Sequence, residues 1–128
     1  MSFTATQALN DAMLVGGIDS ALDDDPTNHA YAVLFDGAAV PLVTMVFTKP
    51  AVTLVDHTLV FSQEDASGDF ILTQGNAASF QLYSGANRLL LSGDVSDEAG
   101  SGALKVKGTT GTLLYAGARA ILGELKFV

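Results

Sequence analysis

From Tyr31 onward the apolar residues recur with a period of two, in short runs that each end at a turn signal. This pattern limits what the chain can fold into more than any other feature. YAVLF (31–35) stops at Asp36-Gly37, a strong turn pair, and VPLVTMVFT (40–48) follows, with Pro41 marking a strand start or an edge. Lys49-Pro50 breaks the run, and VTLVDHTLVF (52–61) reads as one strand bent at Asp56-His57. FILT (70–73), SFQLYS (79–84), RLLLSGDV (88–95) and ALKVK (103–107) come next, and LLYAGARAILGELKFV adds one or two more. Strands at a spacing of roughly 8 to 12 residues are the signature of a sandwich or barrel. No helix-length pattern lies between them, which argues against a parallel βαβ sheet. The expectation is a mainly β fold: an antiparallel β-sandwich, jelly-roll-like or Ig-like, with a short N-terminal helix or arm.

The clearest local prediction is the hairpin AASFQLYSGANRLLLSGDV (77–95), with Gly85-Ala86-Asn87 as its turn. Simple alternation sends Phe80, Leu82, Leu89 and Leu91 into the core, so Leu89→Asp is expected to prevent folding. The tip, Gly85 to Arg88, is expected to face solvent.

Before Tyr31 the pattern is different. In TATQALNDAMLVGG, Thr4 and Gln7 fit a capping box, Leu9, Ala12 and Met13 fall on one helical face, and Gly16-Gly17 suits a left-handed end. IDSALDDDPTNH then reads as an acidic loop or hinge. The organisation predicted is an N-terminal helix or arm with its acidic loop over 1–29 and a β-sandwich over 30–128. The first segment either reaches a neighbouring subunit or caps an open end of its own sandwich.

Composition decides which partners are plausible. The chain has 128 residues, enough for one domain with a real core and too few for two ordinary ones. Six basic against fourteen acidic residues give a net charge of −8, so nucleic acid and anionic membranes are not expected partners. There is no cysteine, hence neither a disulfide nor a thiolate metal site. MSFTATQALNDAM lacks the basic start and apolar run of a secretory signal, and no apolar stretch is long enough to span a membrane, so synthesis in a cytoplasm is expected.

Chemistry-bearing constellations are scarce. The only histidines are His29 and His57, and His57 alternates away from its neighbour Asp56 on a strand. No G-x-S-x-G elbow is present. DDDP (23–26) and SDEAGSG (96–102) are acidic but lack the alternating ligands of a Ca²⁺ loop, and three consecutive Asp side chains do not converge on one ion. Asp69, Asp94, Glu98 and Glu124 show no spacing that pairs them for glycoside hydrolysis. GSGALKVKG (100–108) lacks the third glycine and the following helix of a dinucleotide fingerprint, and no Gly-Lys pair forms a P-loop. Tyr31, Phe80 and Tyr83, in a chain without Trp, read as core or sheet surface rather than a sugar platform. No catalytic, cofactor-binding or metal residue is assigned, and an enzyme is not expected.

Three stretches carry a resemblance: QGNAASFQLYSGANRLLLSGDVS (74–96), EAGSGALKV (98–106) and YAGARAILGELKF (115–127). Their succession of strand entries, aromatic strand, turn, Gly-rich loop and closing strand resembles small bacteriophage head-decoration (cement) and related virion β-sandwich proteins. The N-terminal half matches in layout only. Ser79 stands where an aromatic often sits, and Trp is lacking. The resemblance implies a structural protein on the capsid exterior, with the major capsid protein and itself, as a homotrimer, for partners and no cofactor. A tail or baseplate component, or a carbohydrate- or host-contact module, is the alternative.

Overall fold

The computed structural model describes residues 6–108 and 111–127. Its first element is helix α1 (Gln7–Met13), followed without a break by a π-helical turn, Leu14–Asp19, and a short α2 (Ser20–Leu22). The expected cap at Thr4 lies outside the described residues. Thr6 takes the capping role instead, its Oγ1 accepting the Leu9 N–H at 3.2 Å. The expected stop at Gly16-Gly17 is overturned, because neither glycine turns left-handed and the helix widens there and runs on to Leu22. Leu22 is wholly buried among the strands, and Ile18 packs against the same core.

Among the described residues eleven strands follow, most of them short, so the fold is mainly β. They are β1 (Tyr31–Phe35), β2 (Pro41–Val55), β3 (Thr58–Gln63), β4 (Asp69–Phe70), β5 (Gly75–Asn76), β6 (Ser79–Tyr83), β7 (Leu89–Asp97), β8 (Leu104–Lys107), β9 (Leu113–Leu114), β10 (Arg119–Glu124) and β11 (Lys126–Phe127). The strand order of the main sheet is β11-β3-β2-β1-β6-β7-β8-β10-β4, with β5 and β9 paired separately. β1 follows its alternation without exception, with Ala32 and Leu34 inside and Tyr31, Val33 and Phe35 half-buried. The break expected at Lys49-Pro50 is a bulge within one long β2, and that peptide is cis. The bend expected at Asp56-His57 is a complete two-residue hairpin. Both residues have positive φ, +49° and +64°, the conformation whose twist matches that of antiparallel strands.

The hairpin of β6 and β7 corrects one core assignment. Phe80 and Leu82 are buried as expected, facing Gly93 and Leu91 across the pair. Between Leu82 and Tyr83 the pairing slips by one residue, because Tyr83 faces Leu89 while Leu90 is left over. A bulge of this kind reverses the side-chain alternation beyond it. Leu89 therefore points outward, 55 % exposed, and Leu90 and Leu91 share the partly buried contact with the N-terminal helix. Gly93 is needed opposite Phe80, since a Cβ there would stand 2.8 Å from a ring carbon.

Eight of the nine pairings between described strands are antiparallel, and the ninth departs from expectation: β7 and β8 run parallel, Val95 beside Leu104. Such a pair normally needs a long crossover. Here the loop 98–103 doubles back flat against β7. The Ser96 Oγ accepts the Gly102 N–H and the Asp94 carboxylate accepts the Ala103 N–H, both at 2.9 Å. Gly102 permits the close approach, because a Cβ on it would lie 2.6 Å from the Ser96 nitrogen.

The chain itself joins β11, one end of the main sheet, to β10, the strand next to the other end strand β4. β10 pairs with β8 and β11 with β3, and only Leu125 separates β10 from β11. The buried Leu125 accepts the Phe61 N–H on its carbonyl at 3.0 Å. Gln63 helps to hold this curl. Its amide donates to Asp69 Oδ2 at 2.8 Å and to the Ala120 carbonyl at 3.0 Å, and its oxygen accepts the Leu122 N–H at 2.9 Å. The sheet thus curls around one core that includes Phe47, Phe80, Leu34, Met45, Leu59, Leu82 and Leu104.

Candidate interaction surface

The groups with chemical potential are dispersed and serve the backbone. His57 does not meet Asp56. It meets Asp11 of α1 at 2.8 Å, which ties the helix to the tip of the β2–β3 hairpin. His29 sits 2.8 Å from the Phe47 carbonyl and 3.8 Å from Glu64. Asp69 accepts the Val46 N–H in addition to Gln63, and Glu98 accepts the Gly108 N–H. Glu124 pairs with Lys105 at 3.3 Å. Among the described residues no three His, Asp or Glu side chains gather as metal ligands, and no helix is long and apolar enough to cross a membrane.

The acidic run 23–25 is a clasp. Asp23 accepts the Ala51 N–H and lies 3.6 Å from the Lys49 ammonium. Asp24 reaches the hairpin tip, accepting from the Ser84 hydroxyl and from the Ala86 N–H, each at 2.9 Å. Asp25 turns back on its own loop and accepts the N–H groups of Asn28 and Thr27, and these bonds hold its carboxyl below the usual value. The expected loop over 18–29 is corrected in its first part, since Ile18 to Leu22 are helical and the loop begins at Asp23. Its three carboxylates divide among three tasks because neighbouring side chains diverge. The hairpin tip is mixed: Ala86, Asn87 and Arg88 are exposed, while Gly85 is buried against the clasp.

Of the aromatics singled out, Phe80 is core, and Tyr31 and Tyr83 form a cross-strand stack on the sheet surface, centroids 5.1 Å apart. Each ring thereby covers one face of the other, and each hydroxyl is bonded, Tyr31 to Asn87 and Tyr83 to Gln81.

Besides Val40 and Leu89, the large exposed apolar side chains fall in two clusters. The first is around α1 and the hairpin tip, where Leu9, Met13, Leu54 and Val55 are exposed. This corrects the expected inward face of α1: Leu9 is 50 % and Met13 55 % exposed, because the helix is tied down through Asp11 on another side. Asp56 stands exposed beside them.

The second place is where β4 lies against the turn 115–118. Ile71 is buried and bonded through its backbone to Ala118 and Gly117, which leaves Phe70 and Leu72 on either side pointing outward. Leu72 is 79 % exposed, and Phe70 and Tyr115 are 57 % each. The Arg119 guanidinium lies over the Phe70 ring at 4.0 Å, fixed by the Gly68 carbonyl at 2.7 Å and by Asp65 at 3.3 Å. A groove of about 500 Å³ runs beside it, walled by Ile71, Val106, Leu113 and Ile121, with Tyr115 on its lining and Lys107 and Arg119 as its cations. Aromatic side chains and Arg over an apolar groove are the composition of a protein-binding surface. Simple alternation hid these residues, since β4 and β9 are two-residue strands too short to show a period.

No protein-family model, no curated protein and no solved structure matches this chain.

Proposed function

We propose that this protein is a bacteriophage virion structural protein, a capsid decoration protein that binds the outer surface of the head through the major capsid protein and assembles as a homotrimer. In this reading the curled sheet acts as a sandwich-like rigid module, there is no catalysis, and the protein resides on the virion after synthesis in the host cytoplasm. The observation that carries it is the contrast on the surface: polar groups committed to holding the backbone, and large apolar side chains exposed at two separate places. A lone soluble domain gains nothing from Leu72 or Tyr115 in water, whereas an assembly protein covers them on docking. The net charge of −8 opposes indiscriminate association of free copies. The resemblance over 74–127 supplies the phage context.

Quantitative mass spectrometry of separated heads and tails from a phage encoding this chain tests the reading. Copies in the hundreds, confined to heads, are expected. A few copies confined to tails would move the protein to the tail apparatus, and absence from both would overturn the virion reading.

A further inference from the structure

We infer that copies of this chain dock head to tail, the α1 end of one molecule seating on the Phe70–Tyr115 end of the next. Three observations converge on a second copy as the occupant. First, the two exposed apolar patches are chemically unlike. Leu9, Met13, Leu54 and Val55 are flanked by the carboxylates of Asp11 and Asp56, whereas Phe70, Leu72 and Tyr115 are flanked by the cations Lys107 and Arg119. Asp11 is already paired with His57 and Arg119 with Asp65, so the charges left to complement each other are Asp56 on the first patch and Lys107 on the second.

Second, the patches lie at opposite ends of one strand. Leu72 donates its N–H to the carbonyl of Leu42 near the start of β2, while Leu54 and Val55 are the last residues of that strand. The bulge in β2 takes up three residues, so about ten rises of 3.3 Å, no more than ~33 Å, separate them. Used once, a contact between unlike ends leaves one patch of each kind free and propagates from copy to copy. An antiparallel pair would use both patches and stop at a dimer, so a wild-type chain that stops at a dimer would overturn the head-to-tail arrangement.

Third, the overall charge selects the pairing. Two molecules of charge −8 repel, and meeting like patch to like patch would set carboxylate on carboxylate or cation on cation. Joining unlike ends is the approach that relieves this. The groove volume suits the aliphatic side chains that α1 presents, Leu9 and Met13, one helical turn apart and therefore on one face.

The inference does not rest on the phage reading, and virion copy number leaves it untouched. Its test is sedimentation of the full chain over a range of concentrations, alone and with two variants, Met13→Glu in the first patch and Tyr115→Glu in the second. Both side chains are exposed, so circular dichroism should be unchanged. Leu9→Glu and Leu72→Glu form a second pair should either variant misfold. The wild-type chain is expected to associate, and each variant alone to associate at least about tenfold more weakly. An equimolar mixture of the two variants is expected to form a one-to-one heterodimer and stop there, since each supplies the face the other has lost. A wild-type chain that stays monomeric, a single variant that still self-associates, or a mixture that remains monomeric would each overturn the inference.

Discussion

At the scale of single residues, the direction a side chain faces decides what a substitution does, and β7 offers a controlled comparison. Leu82 on β6 is 1 % exposed, and its near neighbour Leu89 is 55 % exposed. Leu82→Asp places an unpaired carboxylate in the core and is expected to abolish folding. Leu89→Asp is expected to change stability by no more than about 0.5 kcal/mol, the usual range for a surface position. Urea denaturation followed by circular dichroism distinguishes the two, and equal damage from both would refute the bulge at Leu90. The alternation of SFQLYS was fully legible in the sequence, and Phe80 and Leu82 are where it put them. Leu89 was misplaced because one leftover residue in a hairpin inverts every later side chain, and composition carries no mark of such a slip. Gly93 was the available clue: a glycine inside an apolar strand indicates that something large approaches it, here the Phe80 ring.

At the scale of elements, the segment before β1 is held to the body by carboxylates as well as by the buried Leu22 and the half-buried Ile18. Asp25 illustrates the consequence for pH. The N–H groups of Asn28 and Thr27 favour its ionised form, so its carboxyl titrates lower in the folded chain than in the unfolded one. A depressed native value means that the unfolded chain binds more protons in acid, so this contribution is present in full above the unfolded value, near pH 4, and is lost as pH falls through the folded one. Asp11, lowered by its bond to His57, and Asp65, lowered by the Ser67 hydroxyl, act with the same sign. The fall of the urea midpoint between pH 5 and pH 2.5 is therefore expected to be shallower in Asp25→Asn than in wild type. An identical slope would show that the clasp does not carry the acid sensitivity. The acidic run was visible as a loop. Its role was not, because the partners Ala51, Ser84 and Ala86 lie far along the chain. The Asp56-His57 turn escaped for a related reason, since neither residue announces positive φ as Asn-Gly does.

At the scale of the whole molecule, mainly β architecture was readable from period and turn spacing alone. The parallel contact of β7 with β8 and the joining of β11 to β10 were not, because both depend on short loops folding back. Leu125 sits at that junction, 3 % exposed between β10 and β11. Leu125→Ala is expected to cost about 2–5 kcal/mol, the range for emptying a buried leucine site, and to loosen β11 together with its pairing to β3. Hydrogen exchange at Val60 and Phe61 would report this locally, and unchanged protection there would show that the sheet holds without the junction. The same junction also dictates an order of events during synthesis. β10 and β11 are translated after every other described strand, so an emerging chain carries unpaired margins on β3, β4 and β8 until these two strands have left the ribosome. For that interval the molecule is a template for stray strands, and a chain cut before β10 would stay one and is expected to collect in inclusion bodies.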